Sequence, residues 1–293
     1  MSAPVPVSYY VNFQSLDDVT RPAYLHELAA NGAKHVVLSS PLLAAVLGNP
    51  ALLDRIIEEL RAEGMSFLDT HAPYGPYWDL NSPYEHRKAQ AARLKVVMEI
   101  VAELGLDTMA IHLGTDMVAP DWSAEKHFDR ACDMLEKILP DAERLGITLC
   151  VENGMIRNYR TATLLAVLDK FKSDYLGFCF DSGHANIMER GRYHDNCAVQ
   201  ANWALLNDGE PEWEALSDKM EKMLPYIVNC HLHDNNGWSD EHTLPGRGSV
   251  DWSYVTETLR KAPKLRVIQS EVHALVKPVS VRELIQTFNR LFD

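Results

Sequence analysis

Residues 148–184 read TLCVENGMIRNYRTATLLAVLDKFKSDYLGFCFDSGH. Two short runs rich in β-branched and aromatic residues, Thr148–Glu152 and Gly177–Asp181, each end on a carboxylate and enclose a longer helical stretch. That alternation marks a βαβ unit, because parallel neighbours need a crossover to lie side by side. The unit repeats outward in both directions. Strands are expected at Val7–Asn12, His35–Ser39, Ser66–Thr70 and Thr108–His112 before it, and at Ile227–His231 and Val267–Glu271 after it. Eight strands alternating with helices predict one α/β domain over residues 1–293, a parallel (β/α)8 barrel.

The helices carry their own punctuation. Asn49-Pro50 supplies a cap and a first-turn proline, Leu52, Leu53, Ile56, Ile57 and Leu60 form one face, and Gly64 marks the end. Ser82-Pro83 reads as the start of the next helix, whose Leu94, Val97, Met98, Val101 and Leu104 recur at helical spacing before Gly105. Ser123–Leu145 runs to Gly146, and Val281–Phe292 forms the eighth barrel helix. One interval breaks the rhythm: Asn186–Glu210 is a polar stretch too long for an ordinary βα loop. It reads as an insertion after the sixth strand, placed to act as a lid, as a contact in a homo-oligomer, or as a plain surface excursion.

Composition narrows the partners. With 46% hydrophobic and 24% charged residues, the chain can bury a large core. A formal net charge of −13 opposes a phosphate backbone or an anionic membrane, so neither nucleic acid nor membrane is the expected partner. No apolar run reaches the ~18 residues of a bilayer span, and the Met1 region lacks a signal-peptide pattern, which predicts a cytoplasmic protein. Cys132, Cys150, Cys179, Cys197 and Cys230 show no C-x-x-C spacing and fit reduced thiols, three of them as small hydrophobes inside strands.

The chemistry sits where the strands end. His71 follows the third expected strand, and His112, Glu152, Asp181, His231 and Glu271 end the fourth to the eighth. A parallel barrel brings all those ends to one rim. A single buried His or Glu is usually a hydrogen-bonded core group, but three carboxylates converging there without a cation would cost several kcal/mol per unpaired charge. A divalent ion is the simplest resolution.

The local segments Val151-Glu152-Asn153-Gly154, Phe180-Asp181-Ser182-Gly183-His184, His231-Leu232-His233-Asp234-Asn235 and Ser270-Glu271-Val272 resemble the metal motifs of the xylose isomerase-like TIM barrel superfamily. That group includes sugar phosphate isomerases and epimerases such as D-tagatose 3-epimerase, inosose dehydratase and endonuclease IV. The run Leu244-Pro245-Gly246-Arg247-Gly248-Ser249-Val250-Asp251-Trp252 looks like the glycine loop of the sugar epimerases. The resemblance implies that Glu152, Asp181, His231 and Glu271 hold one divalent ion. It also implies that His184, Arg247, His71 and His112 face substrate. Endonuclease IV holds three zinc ions, and His71, His112, Glu152, Asp181, His184, His231, Asp240, His242 and Glu271 offer a counterpart for each of its ligand motifs. Asp240 and His242 are thus candidate ligands of an additional ion, with shaping of the substrate pocket and an exposed loop pair as the alternatives.

Three carboxylates and an imidazole suit Mn²⁺, Mg²⁺, Co²⁺ or Zn²⁺, and the lack of thiolates argues against a structural zinc. Such an ion polarises a ketose carbonyl and stabilises the enediolate left by proton removal, with Glu152 and Glu271 either as base and acid or as plain ligands beside a water that carries the proton. The expected enzyme is therefore a metal-dependent isomerase or epimerase of a sugar or polyol. A dehydratase or lyase acting on a keto-polyol and an endonuclease IV-like phosphodiesterase are the alternatives. Acidity and the absence of basic residues interleaved with aromatics disfavour the last. Tyr74, Trp78 and Trp238 stand in strand-end loops, where they could stack on a sugar ring or serve as packing. His233 is expected outside the ligand set, because Asp234-Asn235 suggests that the strand has ended, and His273 is expected in a loop.

Overall fold

The computed structural model describes residues 5–191, 198–205 and 211–292. Its strands are β1 (Val7–Tyr9), β2 (His35–Leu38), β3 (Ser66–His71), β4 (Thr108–Ile111), β5 (Thr148–Glu152), β6 (Leu176–Asp181), β7 (Ile227–Leu232) and β8 (Val267–Ser270). They pair in parallel in sequence order, and β8 closes on β1. Every residue of β5, β6 and β7 is buried, as strands covered by helices outside and side chains inside must be. Strand parity then fixes what reaches the centre: Cys150 and Cys179 share the inward face with Glu152 and Asp181, two residues on. With Ala110 and Val228 they form a small buried cluster apart from the main core. Cys132, Cys150, Cys179 and Cys230 are buried free thiols, and Cys197 lies outside the described residues.

Helix punctuation follows the sequence in most places. Pro50–Ala62 begins on its proline. Ala124–Leu145 is capped by the Ser123 side chain, which accepts the Lys126 amide, and it ends at Gly146 with φ 74°. Val281–Phe292 matches the expected span.

Two expectations need correction. Ser82-Pro83 does not open a helix: the Ser82 hydroxyl accepts the Tyr84 amide in a turn, and the helix is Arg87–Glu103. The interval after β6 is not one polar loop either. A helix, Ser182–Ile187, starts directly at the strand end, and a second, Ala198–Leu205, lies inside the insertion. Residues 192–197 and 206–210 of that interval lie outside the described residues. Ile187, Met188, Val199 and Trp203 form a cluster of their own, and the Trp203 indole N–H donates to the Met155 carbonyl. Polarity across the whole interval concealed this short apolar face. The insertion is thereby fastened to the loop after β5, on the strand-end face. Among the described residues no helix is long and apolar enough to cross a membrane.

Candidate metal centre

The strand-to-helix turn at Asp181 builds one wall of the site. Its Oδ1 accepts the His184 amide at 2.6 Å, so the carboxylate caps the following helix while His184 turns back over the rim. The Ser182 hydroxyl donates to the His233 carbonyl at 2.7 Å and accepts the His233 amide at 3.0 Å, which stitches β6 to the end of β7. Asn153 adds a second stitch, accepting the Asp181 amide through its side-chain oxygen at 2.8 Å.

Glu152 occupies the middle. Its Oε2 lies 3.3 Å from His71 Nε2 and 3.2 Å from His112 Nε2, and its Oε1 lies 3.2 Å from His231 Nδ1. Glu271, just past β8, brings Oε2 to 3.6 Å from the same His231 nitrogen. One ligand atom each from Glu152, Asp181, His231 and Glu271 falls within 4.8 Å of the others. Ligands about 2.1 Å from a shared ion stand at most about 4.2 Å apart, so sub-ångström closure suffices.

Further donors flank this group. His71, His112 and Glu152 form one set and His233, His242 and Glu271 another, each within the same distance. Asp240 Oδ2 lies 3.4 Å from His184 Nε2 and 3.1 Å from His242 Nε2. The His242 ring is sandwiched between His233 and His273, with ring centroids 4.0 and 4.1 Å away.

The donor chemistry fits a cation. Among the described residues, the ion pairs of Glu152, Asp181, Asp240 and Glu271 are all with imidazoles, never with Lys or Arg. His231 Nε2, His233 Nδ1 and Asp240 Oδ1 are buried without a hydrogen-bond partner. The titration pattern reflects the crowding. Burial opposes ionisation of Glu152, but His231, His112 and His71 overcome it and hold the carboxyl well below the usual range. Burial dominates at Glu271, which rises to about 7. His231 is pushed up to about 10 against its own desolvation, by Glu152 first and Glu271 next. A divalent ion would replace the His231 imidazolium proton as the counter-charge.

A cavity of about 240 Å³ opens onto this centre, lined by His71, His112, Glu152, His184, Glu271 and the Tyr74 ring, among others. Of the residues expected at the site, Glu152, Asp181, His231, Glu271, His71, His112, His184, Asp240 and His242 come together. Arg247 does not. Its guanidinium donates to the Pro278 carbonyl at 2.9 Å and to Glu283 at 2.6 Å, on the outer surface. The glycine loop is instead tied inward by Asp234, which accepts the Gly246 amide at 2.8 Å and the Trp252 indole N–H at 2.8 Å. Trp78 packs against the main core, and Trp238 is exposed.

Two further buried residues point into the barrel where the sequence expectation did not place them. His233 is fully buried and faces inward, with Nε2 3.3 Å from Asp181 Oδ2, because the chain keeps its alternation for one residue beyond β7. Asp69 is also fully buried, and its Oδ2 accepts from the Asn229 amide at 3.3 Å. Strand parity held the clue, since Asp69 and His71, two residues apart, fall on one face of β3.

A family model for the xylose isomerase-like TIM barrel matches residues 25–273. The chain belongs to that family. An uncharacterised protein of Methanocaldococcus jannaschii, MJ1311, is 25% identical over 242 residues, spanning 80% of this chain and 74% of that one. The fold is similar to that of a D-tagatose 3-epimerase-like protein, with TM-score 0.69, 20% identity and coverage of 97% of this chain and 95% of the other. It is also similar to the IOLI protein solved with a bound zinc atom, with TM-score 0.68, 15% identity and coverage of 98% and 96%.

Proposed function

We propose that this family member is a divalent-metal-dependent isomerase or epimerase acting on a ketose or related polyol. The observation that carries the reading is the meeting of Glu152 and Glu271 on one imidazole, 3.2 and 3.6 Å from His231 Nδ1. The likeness to a D-tagatose 3-epimerase-like protein supports the reaction class, and the zinc atom in the IOLI protein supports the choice of a metal. Glu152, Asp181, His231 and Glu271 would hold the ion, which supplies a Lewis acid for a carbonyl and its neighbouring hydroxyl.

Glu152 ends β5 and Glu271 follows β8, so the two carboxylates approach the cavity from different sides of the rim. One carboxylate takes the proton from the carbon beside the carbonyl, and the other returns a proton to the opposite face. Return to the same carbon inverts it, while return to the neighbouring carbon interconverts aldose and ketose. His184 Nδ1 donates to the Asn153 carbonyl at 2.9 Å, which orients the ring with Nε2 toward Asp240 and leaves it beside a bound substrate oxygen.

The test is a screen of ketoses, bare and carrying aryl or alkyl substituents, and of keto-polyols in D₂O, followed by proton NMR, on protein of measured metal content. Solvent deuterium entering a substrate carbon supports the reading, and its absence across the screen overturns it. One observation favours a second reading, an endonuclease IV-like phosphodiesterase. The flanking sets around His71 and His112, and around Asp240 and His242, offer donors for more ions than an isomerase needs. Three zinc ions per chain with cleavage of abasic DNA would establish it in place of the first.

A further inference from the structure

A second cavity, of about 210 Å³, meets the first at the side chains of His112, Glu152 and His184. Its character is different. Away from that shared wall it is lined by Met155, Ile156 and the Tyr159 ring, with Asn202 contributed by the insertion helix. Asn153 also borders it, but both ends of its amide are engaged by the Asp181 backbone, at 2.8 and 3.0 Å. Among the described residues, neither Lys nor Arg lines it.

The walls are fixed. Tyr159 stands against His112 with ring centroids 5.6 Å apart, and a Cβ on Gly154 would lie 2.8 Å from the Tyr159 ring. The insertion helix is held over the cavity by the Trp203 hydrogen bond to the Met155 carbonyl. A predominantly apolar space of this size holds water poorly, and an apolar cavity of about 150 Å³ already accepts a benzene molecule. It lies against the carboxylate assigned to proton transfer, so its occupant must be part of the molecule that carries the reacting carbon.

We propose that the substrate bears an apolar substituent, the size of a phenyl or branched alkyl group, which enters this cavity while its oxygenated end meets Glu152 and Glu271. The substrate class is then a substituted sugar or polyol rather than a bare ketose, and Met155, Ile156 and Asn202 set that preference. This rests on the metal-dependent reading of the neighbouring centre.

Two metal-chelating probes separate the ideas: acetohydroxamate and phenylacetohydroxamate, titrated calorimetrically into Mn²⁺-loaded protein of known metal content. The aryl probe is expected to bind on the order of tenfold tighter or better, the gain from burying a phenyl group. Asn202→Trp and Met155→Trp, each filling the cavity, should reduce that advantage below about twofold while leaving acetohydroxamate affinity unchanged. Circular dichroism checks that both variants fold. Equal affinities in the unaltered protein, or an advantage surviving both variants, overturn the proposal and leave the metal centre standing. Failure to retain Mn²⁺ or to bind either probe overturns both together.

Discussion

Gly183 and His233 touch across the ends of β6 and β7. A Cβ built on Gly183 would lie 1.9 Å from Cε1 of the His233 ring and 2.5 Å from its Nε2. His233 is fully buried, and that same Nε2 lies 3.3 Å from Asp181 Oδ2, so the ring has nowhere to retreat without leaving the carboxylate. Gly183→Ala should therefore destabilise the fold by about 1–3 kcal/mol, the usual cost of overpacking, and weaken metal retention as well. Thermal denaturation gives the first effect and competition with a chelator the second. Unchanged metal affinity in a destabilised variant would mean that His233 only packs.

Glu152→Gln and Glu271→Gln should each abolish measurable turnover while the far-ultraviolet circular dichroism spectrum stays unchanged. Each substitution removes a charge from the ligand set and a proton-transfer group together. Near-normal activity in either variant would end the acid–base assignment.

Metal content should be one tightly held divalent ion per chain at full activity, with weaker uptake at the flanking donors. His71→Ala and His112→Ala should then retain the tight ion, since neither belongs to the Glu152, Asp181, His231, Glu271 group. Elemental analysis after gel filtration decides this. Loss of activity in step with loss of a second or third ion would favour the phosphodiesterase.

Arg247→Ala should leave kcat/KM within about threefold of the parent, because its guanidinium serves a half-exposed ion pair with Glu283, a contact worth ~0–1 kcal/mol. His184→Ala should lower kcat/KM on the order of a hundredfold, as expected when an orienting group beside the reacting atoms is lost. Steady-state kinetics on the two variants separate them. A hundredfold loss in Arg247→Ala would mean that the glycine loop swings inward during turnover.

Acid should weaken the fold partly through Glu214. Burial opposes ionisation of this carboxyl, but Lys219 first, then Thr161 and Lys222, bring it below its ordinary value of 4.5. A group lowered in the folded state contributes stability that is complete above its unfolded pKa and is lost as pH falls through the folded one. Glu214→Gln should lower Tm at pH 7 and narrow that deficit progressively below pH 4.5, measured by thermal melts across pH. A deficit independent of pH would show that the side chain acts by shape rather than charge.

Alternating strand and helix patterns were enough to determine the barrel, because period-two and period-three-to-four patterning and turn residues are local properties of the chain. The same reading located Glu152, Asp181, His231 and Glu271, since a parallel barrel delivers every strand's last residue to one rim whatever lies between them in sequence. Tertiary structure alone decided the rest. His233 joined the centre because Ser182 holds its backbone beyond the strand end, a contact between residues distant in sequence. Arg247 left it because Glu283 and the Pro278 carbonyl, on the segment after β8, compete for its guanidinium. The apolar cavity beside Glu152 is completed by Asn202 of the insertion helix, which Trp203 fastens to the loop after β5. Those outcomes depend on which surfaces meet and which donors find acceptors across the fold, and strand or helix periodicity carries no record of either.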